Sequence, residues 1–319
     1  MRGASGTTQQ PVSRRVRAYF AAVERASDKP VIFDPAKQGA FPLDAPPSPW
    51  MELGEIANFK RSSGTQVGEM RAGARGAVAG QYRAKLDAKV ECDFLEWGKL
   101  QMALAGGSQH MNVLAEDPNA EARATGGRPL AAVAVLAGSS AGELVVGSDA
   151  AGKFAAGDWL AVDADYQQQT GYVGTGIAGA YVKDPADVGR DVNYVRRVTF
   201  NVARVAQTTE SSLMLEQALR GGVPEGAAIQ KVVAFTDREG GSFFQEWSAL
   251  FVMEEESGGR VCFHYPRLMA AAAVERERAM TIATPMSAMA LHGVFTALPH
   301  VDQNDGEPVL CYRNYFPFV

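Results

Sequence analysis

Cysteine, histidine and long apolar runs are scarce in this chain, and each scarcity excludes a class of function. The 3 cysteines in 319 residues, Cys92, Cys262 and Cys311, lie far apart with no Cys-x-x-Cys spacing. That argues against a disulfide framework or a zinc site and reads as reduced core thiols. The 4 histidines, His110, His264, His292 and His300, form no pair at metal-ligand spacing. No apolar run approaches the roughly 20 residues that a membrane-spanning helix needs, so no membrane partner is expected. A GxSxG elbow, a Walker A loop and a Cys-His signature are all missing. The chain is therefore read as non-enzymatic, with no catalytic, cofactor-binding or metal-binding residues. A net charge of -5 argues against a surface that grips nucleic acid over its whole extent. It is compatible with a surface that DNA slides past.

Three segments imitate functional motifs. Gly174–Gly179 matches GxGxxG, but Pro185 and the β-branched neighbours oppose the helix that a dinucleotide site requires, so it reads as a glycine-rich loop. Asp302–Glu307 has oxygen ligands and a glycine, yet lacks the closing Glu of a calcium loop and reads as a polar turn. Glu254–Glu256 reads as a solvated turn, with an acidic lining for a DNA channel as the functional alternative.

What the chain does contain is ordinary globular composition, 46% hydrophobic and 21% charged, in a length that favours two domains. The start is basic, with Arg2, Arg14, Arg15 and Arg17 and no acid before Ala18, but no apolar targeting core follows. After a short amphipathic stretch come Pro30, Pro35, Pro42, Pro46, Pro47 and Pro49, a density that opposes helix and central strand. Residues 1–49 are expected to form an extended arm along a neighbouring subunit, with Arg14, Arg15 and Arg17 as candidate inter-ring contacts.

From Lys85 to Phe94 the sequence alternates without a fault. Period two places Lys85, Asp87, Lys89, Glu91 and Asp93 on one strand face and the apolar groups on the other. Such a charged face is wet or meets a complementary strand. Helical spacing of Trp97, Leu100 and Leu104, followed by Gly106-Gly107, predicts a helix anchored by those three residues. Residues 117–129 read as a linker. Short strands at Leu144–Val146, Trp159–Val162, Val198–Val205 and Leu213–Leu215 predict a small β module over 130–235. A hairpin over Phe243–Tyr265 and final strands at Leu291–Leu298 and Val309–Phe316 complete the pattern; Pro266–Ile282 is helical by propensity alone, with a strand or an irregular crossover as alternatives.

Two stretches resemble the major tail, or tail tube, proteins of tailed phages. One runs from Leu53-Gly54-Glu55-Ile56 through Lys85 to Asn112, with Phe94-Leu95-Glu96-Trp97-Gly98-Lys99-Leu100-Gln101. The other runs from Phe243 through Tyr265-Pro266 to Leu298-Pro299 and Asp305-Gly306-Glu307. The resemblance implies a mainly β fold, a barrel or sandwich with one flanking helix. Residues 50–116 and 236–319 would form one discontinuous domain, and 130–235 an inserted small β domain. It further implies hexameric rings stacked into a tube in the virion tail, assembled in the host cytoplasm. The lumen would hold a tape-measure protein and pass DNA, with a sheath protein as a further partner. Lys85, Asp87, Lys89, Glu91 and Asp93 would then face the lumen or a subunit seam. Alternatives are a tail terminator, a capsid decoration, or carbohydrate binding by the insert through Trp159, Tyr166, Tyr172 and Tyr181.

Overall fold

Alternating apolar and polar residues build most of this chain into antiparallel strands. The structure, a computed structural model, describes residues 13–72, 76–122, 128, 130–167, 180–181, 190–240, 243–255, 258–271 and 290–317. In chain order its elements are β1 (Ser13–Ala22), α1 (Pro35–Gln38), β2 (Met51–Ala72), β3 (Ala77–Phe94), α2 (Lys99–Gly106), β4 (Gln109–Leu114), β5 (Val133–Ala134), β6 (Glu143–Val145), α3 (Ser148–Ala151), β7 (Trp159–Asp163), β8 (Ala180–Tyr181), β9 (Val202–Thr208), β10 (Ser212–Leu215), β11 (Ala228–Arg238), β12 (Glu246–Glu255), β13 (Arg260–Ala270), β14 (Leu291–Ala297), β15 (His300–Val301), β16 (Pro308–Val309) and β17 (Tyr312–Phe316). The expected mainly β, sandwich-like class is what this shows. Two units divide the chain. One holds the described residues up to Val23, Pro30–Trp97 and those from Gln245 onward; the other holds Glu24–Lys29 and Gly98–Phe244.

In the first unit the pairing runs β12-β1-β2-β3-β14-β13, and β13 returns to β12. The free length of β13 carries β17. β14 shows the cause in its sequence: Leu291, Gly293, Phe295 and Ala297 are buried and the residues between them half-buried, the period of a strand with one face inward. Phe20, Phe94, Phe251 and Phe295 meet inside, with ring centroids 5.5 to 6.4 Å apart. Each such ring contributes about 1.5–3 kcal/mol by burial.

β1 corrects the expected arm. Ser13–Ala22 is an interior strand between β12 and β2, and Ala18, Tyr19, Phe20 and Ala21 are fully buried. A strand buried on both faces has no period-two signature, so its sequence does not announce it. Phe20 points to the aromatic cluster, while Tyr19 and Ala21 pack with Phe33, Phe41, Trp50, Leu250, Val252 and Cys262. The proline-dense segment therefore lays Phe33 and Phe41 over its own unit. Asp34 caps α1 by accepting from the backbone N–H of Ala36 and Lys37.

The second unit orders its strands β6-β10-β9-β7-β11-β4-β8, with β5 also on β11. β7 is buried on both faces: Leu160 and Val162 join Leu144, Val205, Leu213 and Ile229, while Ala161 meets Leu114, Tyr166 and Val232. α2 belongs here and packs on β4 and β11, which corrects its expected place against the first sheet. Leu100 and Leu104 are buried as predicted, but Trp97 is 47% exposed. The helix starts at Lys99 after an extended Gly98, φ -151°, so Trp97 precedes the helix and the spacing that linked it to Leu100 has no geometric meaning. Gly107, at φ 58°, ends the helix.

Smaller differences follow the same logic. The expected strand at Val198 begins at Val202, because Arg196–Phe200 forms a π-type turn. Pro266–Ala270 continues β13; residues 272–289 lie outside the described residues, as do Gly174–Gly179 and Tyr172. Asp302–Glu307 is a turn between β15 and β16. Glu254 and Glu255 end β12 and Glu255 is buried, so the acidic triplet is not wholly a solvated turn.

Candidate assembly surfaces

The charged face predicted on Lys85–Asp93 lies in β3. Ala88, Val90, Cys92 and Phe94 are buried, Asp87 and Lys89 exposed, Glu91 and Asp93 half-buried. The side chain of Lys85 lies outside those described. Neighbouring strands supply complements: Lys60 on β2 reaches Glu91 at 3.4 Å. Asp93 accepts from Asn58 at 2.6 Å and meets His292 Nδ1 on β14 at 2.6 Å. The inner half of the face thus pairs within the unit; Asp87 and Lys89 are exposed.

Where that face runs out, β2 and β3 continue together. β1 pairs with β2 only as far as Ile56, and β14 with β3 only from Lys89 inward. Beyond these points β2 and β3 pair, among the described residues, with each other alone, from Ser63↔Ala88 to Ala72↔Ala77. Phe59 still packs on Phe251 and Phe263, and Arg61 Nε donates to the Tyr265 hydroxyl at 3.1 Å. From Ser62 outward the ribbon is open to solvent, and Val67 (56%), Met70 (56%), Val78 (48%) and Tyr82 (53%) are exposed. The Tyr82 ring lies over Gly68, where a Cβ would come within 2.4 Å of it; the glycine makes room for the aromatic. The 62–88 segment carries Arg71, Arg75, Arg83 and Lys85 against Glu69 and Asp87.

At the root of the ribbon an open cleft of about 270 Å³ is lined by Arg61, Leu86, Asp87, Leu310, Cys311 and Arg313. Burial raises the Cys311 thiol above its ordinary pKa, so it is not an activated nucleophile. The cleft offers two guanidinium groups and an apolar wall.

Two of the candidate arm residues pair with acids of their own unit. Arg15 meets Glu55 at 3.2 Å, and Arg17 pairs with Glu52 at 2.8 Å and with Asp44. The Asp44 hydrogen bond raises the Arg17 guanidinium pKa further. Arg15 and Arg17 are thus ion-paired within their own unit, which corrects their expected place on a neighbouring ring; the Arg14 side chain lies outside those described. Among the histidines, His264 is buried against Trp50, Phe33 and Tyr312, and burial pushes its pKa down to about 4. It is a core residue. Among the described residues no group of three or more His, Cys, Asp or Glu is placed to hold a metal ion.

The second unit holds buried polar groups that no motif announces. Arg197 is fully buried and pairs with Asp165 at 3.0 Å and with Asp191. Buried Asp163 takes Arg196 at 3.2 Å. Lys99, predicted only as a helix residue, directs Nζ inward to Asn112 Oδ1 and the Val198 carbonyl. His110 meets Thr199 Oγ1 at 2.5 Å, and burial pushes its pKa down to about 3. Of the proposed sugar platforms Tyr166 is fully buried, the Tyr181 side chain lies outside those described, and Trp159 is 42% exposed beside Phe235, ring centroids 5.7 Å apart.

No protein-family model and no curated protein matches this chain.

Proposed function

We propose that this protein is a non-enzymatic structural subunit that assembles with copies of itself, in the manner of a phage tail tube. The observation that carries the reading is the β2–β3 ribbon. A two-stranded ribbon is marginally stable alone in water, and this one exposes four large apolar side chains and both backbone edges, a ready template for another chain. Its basic excess suits a partner with net negative charge, and a chain with 36 acidic against 31 basic residues is such a partner. A second copy of this chain is the occupant the reading commits to, in rings that stack around a bore passing a tape-measure protein and DNA. Asp87 and Lys89 lie at the ribbon root, where they would meet a neighbour.

The test is a paired substitution on the ribbon, Val67→Ser with Tyr82→Ser, followed by sedimentation over a concentration series. Loss of higher assemblies with unchanged thermal melting supports the proposal. Assemblies of wild-type size in the variant would count against it.

A second reading, a carbohydrate-binding role for the second unit, is favoured by the exposed Trp159–Phe235 pair, because aromatic faces with a wet edge recur at binding surfaces. Glycan-array binding that disappears in Trp159→Ala would favour it over assembly.

A further inference from the structure

Lys99 opens α2, and Asn112 sits in the middle of β4, with the Gly107 turn folding one element back on the other. β4 is fixed on both edges, Asn112 lying opposite Phe235 of β11 and Tyr181 of β8. Lys99 Nζ donates to Asn112 Oδ1 and to the Val198 carbonyl, and lies 4.5 Å from the centre of the Phe235 ring. Asn112 is fully buried, and its Nδ2 donates to the Tyr166 hydroxyl at 2.5 Å. Among the described residues no carboxylate forms an ion pair with Lys99. Burial lowers its pKa well below the ordinary value, which favours the uncharged amine with its free electron pair. The amine thus lies against an amide carbonyl held between a helix and a strand.

We propose that Lys99 and Asn112 join in an intramolecular amide cross-link, the lysine nitrogen replacing the side-chain nitrogen of the asparagine. The electron pair of Nζ adds to Cγ of Asn112, and Oδ1 carries the negative charge of the tetrahedral intermediate. One proton of Nζ passes to Nδ2 as that nitrogen leaves, while the Tyr166 hydroxyl, which accepts from Nδ2, holds the amide in place. One C–N bond forms, one breaks, and ammonia departs; no oxidant, metal or cofactor enters the balance. Tyr166 also donates to the Arg197 carbonyl at 3.0 Å, which holds its ring in position. Fixed geometry of this kind supplies effective molarities on the order of 10⁵–10⁸ M in well-oriented intramolecular reactions. The product keeps one N–H for the Val198 carbonyl and removes a buried amine that would otherwise be a liability when charged. The cross-link is independent of the assembly proposal, since both partners lie in the second unit.

The experiment is mass analysis of the purified, denatured full chain, followed by tryptic mapping. The expected result is a chain lighter than its sequence by one ammonia, no cleavage after Lys99, and a branched peptide joining Lys99 to Asn112. Lys99→Arg should carry its full sequence mass while keeping its circular dichroism, and Asn112→Asp should form the same link with loss of water instead. Separate, unlinked peptides containing Lys99 and Asn112 in the wild-type map overturn the proposal. So does loss of ammonia without a link, which marks a succinimide. The wild-type map decides the matter even if a variant fails to fold.

Discussion

At the residue scale the structure separates side chains that sequence spacing treats alike. Leu104 is buried and Trp97 half in solvent, so Leu104→Ala should cost about 2–5 kcal/mol and Trp97→Ala roughly 1 kcal/mol or less. Urea unfolding of the two variants checks the order. Trp97 was misread because periodicity says nothing about where a helix begins; the extended Gly98 decides that. His264 gives a pH prediction. Burial places its folded pKa at about 4, below the ordinary 6.5, so the unfolded chain binds more protons between those values. Stability is then fully present above about 6.5 and falls as pH drops toward 4, by about 3 kcal/mol in total. Melting at pH 7 and pH 4.5 should show a larger loss in the wild type than in His264→Phe. Equal losses would mean that other groups dominate.

At the element scale, one-sided burial or flanking turns made strands legible. β3 from Ala88 inward buries one face, and its alternation places it from sequence alone. β1 and β7 bury both faces; β7 is still placed as a short apolar run between turn-rich segments, whereas β1, leading into the proline-dense segment, reads as part of an arm. The cluster of Lys99, Asn112 and Tyr166 was illegible for a different reason: its members come from a helix, a strand and a short helical turn, and no spacing rule connects them. The β2–β3 ribbon was half legible, as a charged strand face whose outward continuation sequence gave no cause to expect. Its amides beyond Ser62 should exchange with solvent quickly in dispersed protein, since among the described residues one partner strand holds them, and slowly in assemblies. Equal exchange in both states would remove the ribbon from the interface. At the end of α2, Gly107→Ala should cost about 1 kcal/mol, because φ 58° suits glycine.

At the scale of the whole molecule, the first unit closes its sheet through β12 and β13. Among the described residues β17 pairs with β13 alone, and the ribbon projects beyond the closed part. A strand edge and a partly apolar ribbon on one unit are complementary kinds of surface, and under the proposed assembly a heterologous contact between them would repeat from copy to copy, closing into rings or extending into filaments. That is the central claim, and negative-stain electron microscopy of the purified wild-type chain across a concentration series tests it most directly. Hollow rods or rings with a regular axial repeat, growing with concentration, are the predicted result; dispersed single particles of monomer size at every concentration would contradict it.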